Sequence, residues 1–491
     1  MSKIPLHAGL VADFIAIEFA DIPQVATENT LLLKKVLRIT SWLRLQGVKK
    51  NSLIVSLFPP DKNWIALDMA ILRCGAIHVP FHMADEISLA TEYFEQYLFI
   101  VHRDIKYQTD TKANQIIVTD LSDDFFQDSD IHNSTDNKAV EVDPHHPAEI
   151  IFSYHRDCGP KPFVISHDNL LKTAVAAGKE LPLTPGDKYL SLLPFSKIYG
   201  RVSLLTHQLL GCIIECPQQI LLPSRLIKVS KAASVAVVPS MLQYPVKVDG
   251  ACSQLLKGRS LATLDELPPE AIRPVLGDTL KIIICGGAMI PSDLLQKFEA
   301  ASLPLMEGYG LTQTTGVFTL NTVSAHRTGS KGKALNHMSI KISDDGEILA
   351  KGAGISSGII LPDGTIEKID DSNNWFHTSD EGYIDADGFL FLTGNKKNVF
   401  KLANGYYYNP QPDEKRIADE INMQTMICRD EKGNLHLLAE KITLSSEELE
   451  FLKKFRTNPF SMPLTSLFQT KTLPCCRPYV VVANENWISL K

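Results

Sequence analysis

The segment Leu53–Pro80 constrains this chain most. LIVSLF (Leu53–Phe58) is a nearly unbroken apolar run that stops at Pro59-Pro60. A short apolar run ended by prolines predicts a buried strand. From about Lys62 to Arg73 the apolar residues recur at helical spacing, and Gly75 stands where a helix C-cap belongs. AIHVP (Ala76–Pro80) then reads as the next strand. A strand, a helix and a strand in so short a span form a βαβ unit. Its crossover makes the two strands parallel and lays a helix over the sheet.

The same rhythm runs on both sides. Leu32, Val36, Ile39 and Leu43 share a helix face, with Gly47 as C-cap. Downstream come a strand at 149–153, a helix from Ser166, an apolar run at 190–193, a helix at 200–209 and a strand at 233–238. KIIICGG (Lys281–Gly287) is a strand running into a glycine turn. The Asp-rich stretch Asp120–Asp143 contains no glycine and reads as a surface connection. After about Val323 the pattern changes to short strands, with hairpin signals at Asp344-Asp345-Gly346 and Asp387-Gly388. At 491 residues the chain exceeds one ordinary core. The expectation is an α/β fold whose large N-terminal body, 1–394, holds mixed, mostly parallel sheets covered by helices. A small β-barrel-like section at about 324–394 belongs to that body, and a small α+β C-terminal domain follows at 395–491.

Charge and cysteine usage exclude several function classes. The net charge is −7, and no lysine/arginine block overrules it, which argues against a nucleic-acid binder. The nine cysteines show no CxxC pair, and Cys475 and Cys476 have no histidine or third cysteine at ligand spacing, so buried free thiols in a reducing compartment are expected. The leading stretch MSKIPLHAGLVADFIAIEFADIP is interrupted by Asp13 and Glu18 and lacks a signal-peptide core. No apolar run approaches the ~20 residues of a membrane span. A cytoplasmic protein without a transmembrane segment is expected.

Five stretches carry chemistry. SYHRDCGPKPFVISHDNLL (Ser153–Leu171) has the outline of a phosphate loop: an apolar run before it, a turn at Gly159-Pro160, then Lys161, and Ser166 placed to cap a helix. LLPFSKIYGR (Leu192–Arg201), CGGAMI (Cys285–Ile290) and MEGYGLTQTTG (Met306–Gly316) follow. The last is WFHTSDEGYIDADGFLFLTGNKKNVFKLANGYYYNP (Trp375–Pro410). In this order they resemble the adenylate-forming, AMP-binding superfamily of acyl-CoA synthetases, luciferases and adenylation domains. NKKNVFKLANGYYYNP is most similar to the long-chain fatty acyl-CoA synthetases. The resemblance covers nearly the whole chain.

It implies that a carboxylate attacks the α-phosphate of ATP, giving an acyl-adenylate and pyrophosphate, after which a thiol such as coenzyme A displaces AMP. ATP, Mg²⁺ and coenzyme A are the implied small molecules, and a fatty carboxylic acid the implied substrate. By the same resemblance Gly286, Gly287 and Ala288 line the adenine pocket, Tyr309 and Gly310 close on the base, and Asp380 accepts from the ribose hydroxyls. Ser153, Gly159 and Lys161 belong to the phosphate loop. Thr312 and Gln313 stand at the phosphate and metal side, Asn395 at the domain boundary, and Lys471 near the tail. Lys197, Tyr199 and Gly405 belong to the acyl and coenzyme A channel.

Several positions depart from the family's pattern. Tyr154 to Cys158 replace the small, hydroxyl-rich centre of TSGTTGxPKG, and Gln313 replaces a glutamate metal ligand, keeping one neutral oxygen. Asn395 replaces an arginine, Pro474 in TLPCCRP a lysine, and Lys197 a frequent histidine. Two readings follow. One is an acid–thiol ligase whose acceptor is coenzyme A or a carrier protein. The other is a non-catalytic family member that binds an acyl group or nucleotide, or serves as a partner subunit.

Overall fold

In the computed structural model the described residues are 5, 7–107, 113–122, 138–155, 159–217, 223–242, 246–247, 261–262, 264, 266–287, 290, 292–369, 375–396, 400–401, 407–408, 410–421, 425–429, 435–439, 446–454, 464–469 and 487–489. They divide into two compact units. The first comprises Met1–Ser153, Lys161–Thr378 and Gly382–Leu392; the second comprises Tyr154–Pro160, Ser379–Glu381 and Thr393–Lys491.

The βαβ unit is built as its residues dictate. Strand β1 (Leu53–Leu57) pairs parallel with β2 (Ile77–Phe81), Leu53 facing Ile77 and Leu57 facing Phe81. Helices α1 (Val11–Glu18) and α2 (Pro23–Leu45) precede β1, and α3 (Lys62–Arg73) is the crossover. Asp61 caps α3 by accepting from the Asn63 and Trp64 amides, both at 2.9 Å. Gly75, at φ +68°, ends it, with its amide donating to Leu72 O at 3.0 Å. Gly47, at φ +82°, does the same for α2.

Strands β3 (Leu98–His102) and β4 (Gln115–Thr119) continue the sheet in parallel, and α4 (Ile87–Tyr93) lies between β2 and β3 in the chain. Next come β5 (Pro147–His155), β6 (Gly159–Ser166) and α5 (His167–Gly178). Ser166 caps α5 through a reciprocal box: its Oγ accepts from the Asn169 amide at 3.1 Å, and its own amide donates to Asn169 Oδ1 at 3.0 Å.

The second sheet takes β7 (Lys188–Ser191), β8 (Ile213–Glu215) and β9 (Ser234–Val237), with α6 (Ile198–Leu209) crossing from β7 to β8. A two-residue pair, β10 (Val246–Lys247) and β11 (Leu261–Ala262), stands apart. Then come β12 (Ile282–Cys285), β13 (Leu305–Leu311), β14 (Gly316–Leu320) and β15 (Lys333–Ala334). The order is β15-β14-β13-β12-β9-β7-β8. From β13 through β8 the pairings are parallel, while β14 runs antiparallel to β13.

Strands β16 (Met338–Ile342) and β17 (Glu347–Gly352) form a hairpin at Asp344-Asp345-Gly346, with Gly346 at φ +83°. After β18 (Gly358–Ile360) and β19 (Ile366–Glu367), which complete the first sheet in the order β19-β18-β6-β5-β2-β1-β3-β4, the chain returns. Strands β20 (Phe376–Ile384) and β21 (Leu390–Asn395) join the order β16-β17-β20-β21. The parallel-rich body with an antiparallel section is the α/β class expected.

The second unit holds helices Gln411–Ile421 and Ser446–Lys454 and a four-stranded sheet of Thr425–Arg429, Leu435–Ala439, Leu464–Gln469 and Trp487–Ser489. Ile417, Ile427 and Leu452 are fully buried within it. Among the described residues no helix is long and apolar enough to cross a membrane. Cys74, Cys212 and Cys285 are buried and in no disulfide, and burial pushes the thiols of Cys212 and Cys285 up to about 12.

A buried charge cluster ties α3, β2, β5 and α6 together. Arg201 on α6 places Nη2 2.8 Å from Asp68 Oδ2 and Nε 2.6 Å from Glu149 Oε1. Asp68 also meets His78 Nδ1 at 2.8 Å, and His78 Nε2 meets Ser56 Oγ at 2.7 Å. Burial pushes the Glu149 carboxyl up to about 7 against the pull of Arg201, which it shares with Asp68.

Buried histidines set the acid response. Burial lowers His167, the first residue of α5, to about 3, with His7 and His146 close beside it. Burial lowers His207 to about 4. Its Nδ1 donates to Ser203 O at 2.7 Å and its Nε2 accepts from Ser234 Oγ at 3.0 Å, so the neutral ring satisfies both. Below the unfolded value of 6.5 the unfolded chain binds protons that these rings refuse, and stability falls from there toward pH 3–4. Glu149 acts in the opposite sense between 4.5 and about 7 and offsets one histidine. Burial lowers His337 to about 4 as well, so two histidines remain unopposed and about 2 kcal/mol of stability per pH unit is expected to be lost between pH 6.5 and pH 5, with a falling melting temperature. A thermal melt series that stays flat over that interval contradicts this.

Candidate functional site

The parallel strands β9 and β12 end side by side at Val237 and Cys285, and the chain leaves β12 through Gly286-Gly287. Outside the carboxyl ends of parallel strands is where an open α/β sheet leaves a crevice. A cavity of about 100 Å³ lies there, between these strand ends, α6 and the β13–β14 pair. Tyr199, Val202, Ile284, Gly286, Tyr309 and Val317 are among its walls.

Tyr199 is fixed from both sides. It stands in the first turn of α6, and its hydroxyl donates toward Ile284 O at 3.0 Å and Val237 O at 3.3 Å. The ring thus braces both strand ends, and burial raises its hydroxyl well above the usual tyrosine value. A Cβ on Gly286 would sit 3.5 Å from the Tyr199 ring, an ordinary contact. Gly287 lies at φ +85°, which favours glycine there. Tyr309 is buried on β13 and packs edge-on against Phe318 at 4.9 Å between centroids.

The opposite wall comes from TQTTG. Thr312–Thr314 form one 3-10 turn, Thr315 enters the left-handed region at φ 51°, and Gly316 follows at φ +84°. Thr314 Oγ1 accepts from the Leu311 amide at 2.8 Å and donates to Gly316 O at 2.8 Å, which locks the turn. The pairing of β13 with β14 shifts register between Tyr309 and Gly310. There a Cβ on Gly310 would fall 1.9 Å from Gly316 O, so only glycine fits. Gln313 is buried in this turn and its carbonyl accepts from the Ser356 amide at 2.8 Å.

The cavity's polar contributions come from Ser203, Thr206 and His207 on α6. His207 stacks on Tyr189 at 3.7 Å and is neutral at physiological pH, as its lowered proton affinity requires. Among the described residues no arginine or lysine lines the space.

Three comparisons bear on this geometry. The model of the AMP-binding enzyme family matches residues 30–361. The chain belongs to the AMP-binding enzyme family. Within the curated relatives, a long-chain-fatty-acid–CoA ligase of Mycobacterium bovis is 25% identical over 466 residues, covering 83% of this chain and 75% of that protein. A 2-succinylbenzoate–CoA ligase of Listeria monocytogenes is 24% identical, covering 87% and 86%. Among solved structures, a fatty acyl CoA synthetase of Mycobacterium tuberculosis superposes with a TM-score of 0.66 at 18% identity, covering 95% of each chain. The o-succinylbenzoate CoA synthetase of Bacillus subtilis with its acyl-adenylate gives 0.65 at 18% identity, covering 91% and 90%. The fold is that of these AMP-binding enzymes.

In this member of the AMP-binding enzyme family, the structure brings Gly286, Gly287, Tyr199, Tyr309 and Gly310 around one cavity. Lys197 starts the same helix but turns to Glu86, whose Oε1 is 2.8 Å away. Glu86 Oε2 is 3.2 Å from His82 Nδ1, and His82 Nδ1 is 2.7 Å from Ser196 Oγ. Burial opposes ionisation of Glu86, yet the His82 hydrogen bond and the Lys197 charge hold its carboxyl well below the usual range. Ser153 lies on β5, and Lys161 is half-buried on β6. Thr312 is half-buried in the turn described above.

In the second unit, Asp380 on β20 accepts from Asn395 Nδ2 on β21, so these two predicted residues meet. Gly159 opens β6. Residues 156–158, Ala288, Gly405, Lys471, Pro474 and the Cys475–Cys476 pair lie outside the described residues. Among the described residues no group of three His, Cys, Asp or Glu side chains is placed to hold a metal ion.

Sequence reasoning missed Glu86, His82, Ser203 and His207. No motif marks them, and the contacts that fix Glu86 on Lys197, His82 on Ser196 and His207 on Ser234 join residues far apart in the chain. Arg201 carried a usable signal: an arginine inside the apolar pattern of α6 requires a buried acid.

Proposed function

We propose that this chain is an ATP-dependent ligase for an apolar, fatty-type carboxylic acid, activating it as an acyl-adenylate and passing it to a thiol such as that of coenzyme A. The observation that carries the reading is the apolar cavity at the ends of β9 and β12, walled by Tyr199, the Gly286-Gly287 turn and the Gly310 bulge. Membership of the AMP-binding enzyme family supports the reaction class. The relatives named for fatty-acid and succinylbenzoate ligation support a carboxylic acid as substrate.

Charge supports one of the two kinds of acid. An acid with a second carboxylate would place it against walls that, among the described residues, hold no cation and only a neutral histidine. An unpaired ion in such a setting costs several kcal/mol. A plain hydrocarbon chain carries no such penalty, so the fatty acid is favoured.

The residues divide the task. Gly286, Gly287 and Tyr309 are assigned the base at one side of the cavity, and Tyr199 the acid at the other. Asp380 is assigned the ribose hydroxyls, and Lys161 the phosphate oxygens. In the reaction the acid's carboxylate oxygen forms a bond to the α-phosphorus as the bond to pyrophosphate breaks. The thiol then attacks the acyl carbon and AMP leaves, its proton passing to solvent.

The test is thioester formation from ATP, Mg²⁺ and coenzyme A with a panel of saturated fatty acids and aromatic dicarboxylates. Acyl-CoA from fatty acids, absent with Asp380→Ala, is expected. Product from the dicarboxylates alone would overturn the substrate class. Absence of any product, with a melting temperature still raised by ATP, would assign the chain to the non-catalytic alternative.

A further inference from the structure

A second cavity, of about 380 Å³, lies in the first unit among α1, α2, α3 and β8, away from the motifs that mark the family. The neighbouring residues His207 and Gln208, at the end of α6, line different cavities: His207 the one at the strand ends, Gln208 this one. We propose that this second cavity is a separate binding site for a small uncharged amphipathic molecule, an aliphatic body bearing one hydrogen-bond acceptor such as a ketone or ester oxygen.

Its size is that of small-molecule sites. Ile15, Val25, Leu32, Ile65 and Ile213 supply apolar walls that suit a hydrocarbon body. Leu31 also lines it and is 60% exposed, an apolar side chain left in water at its edge. Among the described residues the lining has no aromatic ring on which a flat ligand could stack, so the body it fits is aliphatic.

The charged and amide groups of α2 and α3 in the lining are engaged by the protein itself. Lys62 Nζ lies 2.8 Å from Glu28 Oε2. Lys35 Nζ donates to Asn63 Oδ1 and is engaged elsewhere as well. Asn63 Nδ2 donates to Asp120 O and Asn29 Nδ2 to Ile15 O, both at 3.0 Å. Cys212 adds a thiol that burial keeps protonated. An ionic head group would therefore have to break one of these contacts or lie unpaired against apolar walls.

Gln208 is the exception. It is 3% exposed, and its Nε2 has no hydrogen-bond partner among the described residues. Such a buried donor calls for an explanation, and an acceptor on a bound molecule supplies one. The donor is a neutral amide, so an uncharged oxygen satisfies it.

Photolabelling tests this without relying on ATP turnover, so it stands or falls apart from the ligase reading. The full chain is illuminated with a medium-length aliphatic methyl ketone carrying a diazirine at its far end, and labelled peptides are mapped by mass spectrometry. Labels are expected on the peptides holding Leu32 or Ile213. Gln208→Leu, which removes the donor and keeps most of the bulk, should lower that labelling about fivefold, the effect of losing one neutral hydrogen bond. Labelling at Ile284 and Val317 should not change. The carboxylate and the hydrocarbon of the same length, each with the same diazirine, should label the cavity more weakly than the ketone. Leu32→Trp, which fills the cavity, should abolish labelling there, and together with the three-probe ranking it decides the matter if Gln208→Leu fails to fold by thermal melt. Carboxylate or hydrocarbon labelling equal to that of the ketone, undiminished labelling in Gln208→Leu or Leu32→Trp, or labels confined to the cavity at the strand ends overturn the proposal.

Discussion

Replacing Arg201 with methionine is expected to lower stability by about 3–5 kcal/mol, the cost of stripping a buried charge of its partner. Arg201 is 2% exposed and faces Asp68 and Glu149 at 2.8 and 2.6 Å, with the Trp64 ring 5.9 Å from its guanidinium carbon. Its removal leaves two carboxylates at 2% and 0% exposure with far less compensating charge. Glu149 can relieve part of this by holding a proton, since burial already pushes it up to about 7. The double variant Arg201→Met, Glu149→Gln should therefore lose less than the single one. Urea denaturation measures both. A loss under about 1 kcal/mol for the single variant, the scale of an exposed ion pair, would show that the cluster contributes little. Because α6 also carries Tyr199, Val202 and His207 into the cavity walls, the single variant should lose ligand binding along with stability.

Gly310→Ala is expected to reduce acid-dependent turnover by on the order of 10²-fold, the scale of a 1 Å misplacement at a reacting centre. The added Cβ would lie 1.9 Å from Gly316 O and 2.7 Å from Val317 Cα. Both are backbone atoms, so no side chain can swing aside. The β13–β14 pair has to separate where it walls the cavity, next to the turn that Thr314 locks. Gly286→Ala is the control, since its Cβ meets the Tyr199 ring at an ordinary 3.5 Å. Initial rates of AMP release should rank wild type, Gly286→Ala, then Gly310→Ala. The reverse order for the two variants would remove the bulge from the account.

How much of this was legible in the sequence depends on the range of the interaction. Local signals read well: Lys62–Arg73 forms the helix that its apolar spacing predicts, Gly47 and Gly75 take positive φ at helix ends, and Asp344-Asp345-Gly346 turns a hairpin. Ser166 caps α5 as its position suggests. Motif order was enough for the family, because the glycines at 286, 287 and 310 mark backbone shapes that tolerate nothing larger or leave room for a ligand.

Long-range pairings were not legible. Asp68, Glu149 and Arg201 come from three elements spread over more than a hundred residues, and period-based reading sees each only as an odd polar residue on an apolar face. Lys197 illustrates the same limit. Its motif position suggests a channel mouth, yet its ammonium is engaged by Glu86, which belongs to no motif. The pairing of Asn395 with Asp380 is a tertiary contact of the same kind, although both residues were singled out separately. The second cavity left no trace in the sequence, because its walls come from five elements with ordinary amphipathic patterns.

The central claim is that the cavity at the ends of β9 and β12 serves formation of an acyl-adenylate. Its most direct test is to mix the full chain with ATP, Mg²⁺ and a saturated fatty acid, without coenzyme A, quench, and look for the mixed anhydride by mass spectrometry. The account predicts an acyl-AMP signal that requires both ATP and the acid and is lost in Gly310→Ala. No acyl-AMP with any acid of the panel, from protein that is folded by circular dichroism and binds ATP, would contradict it.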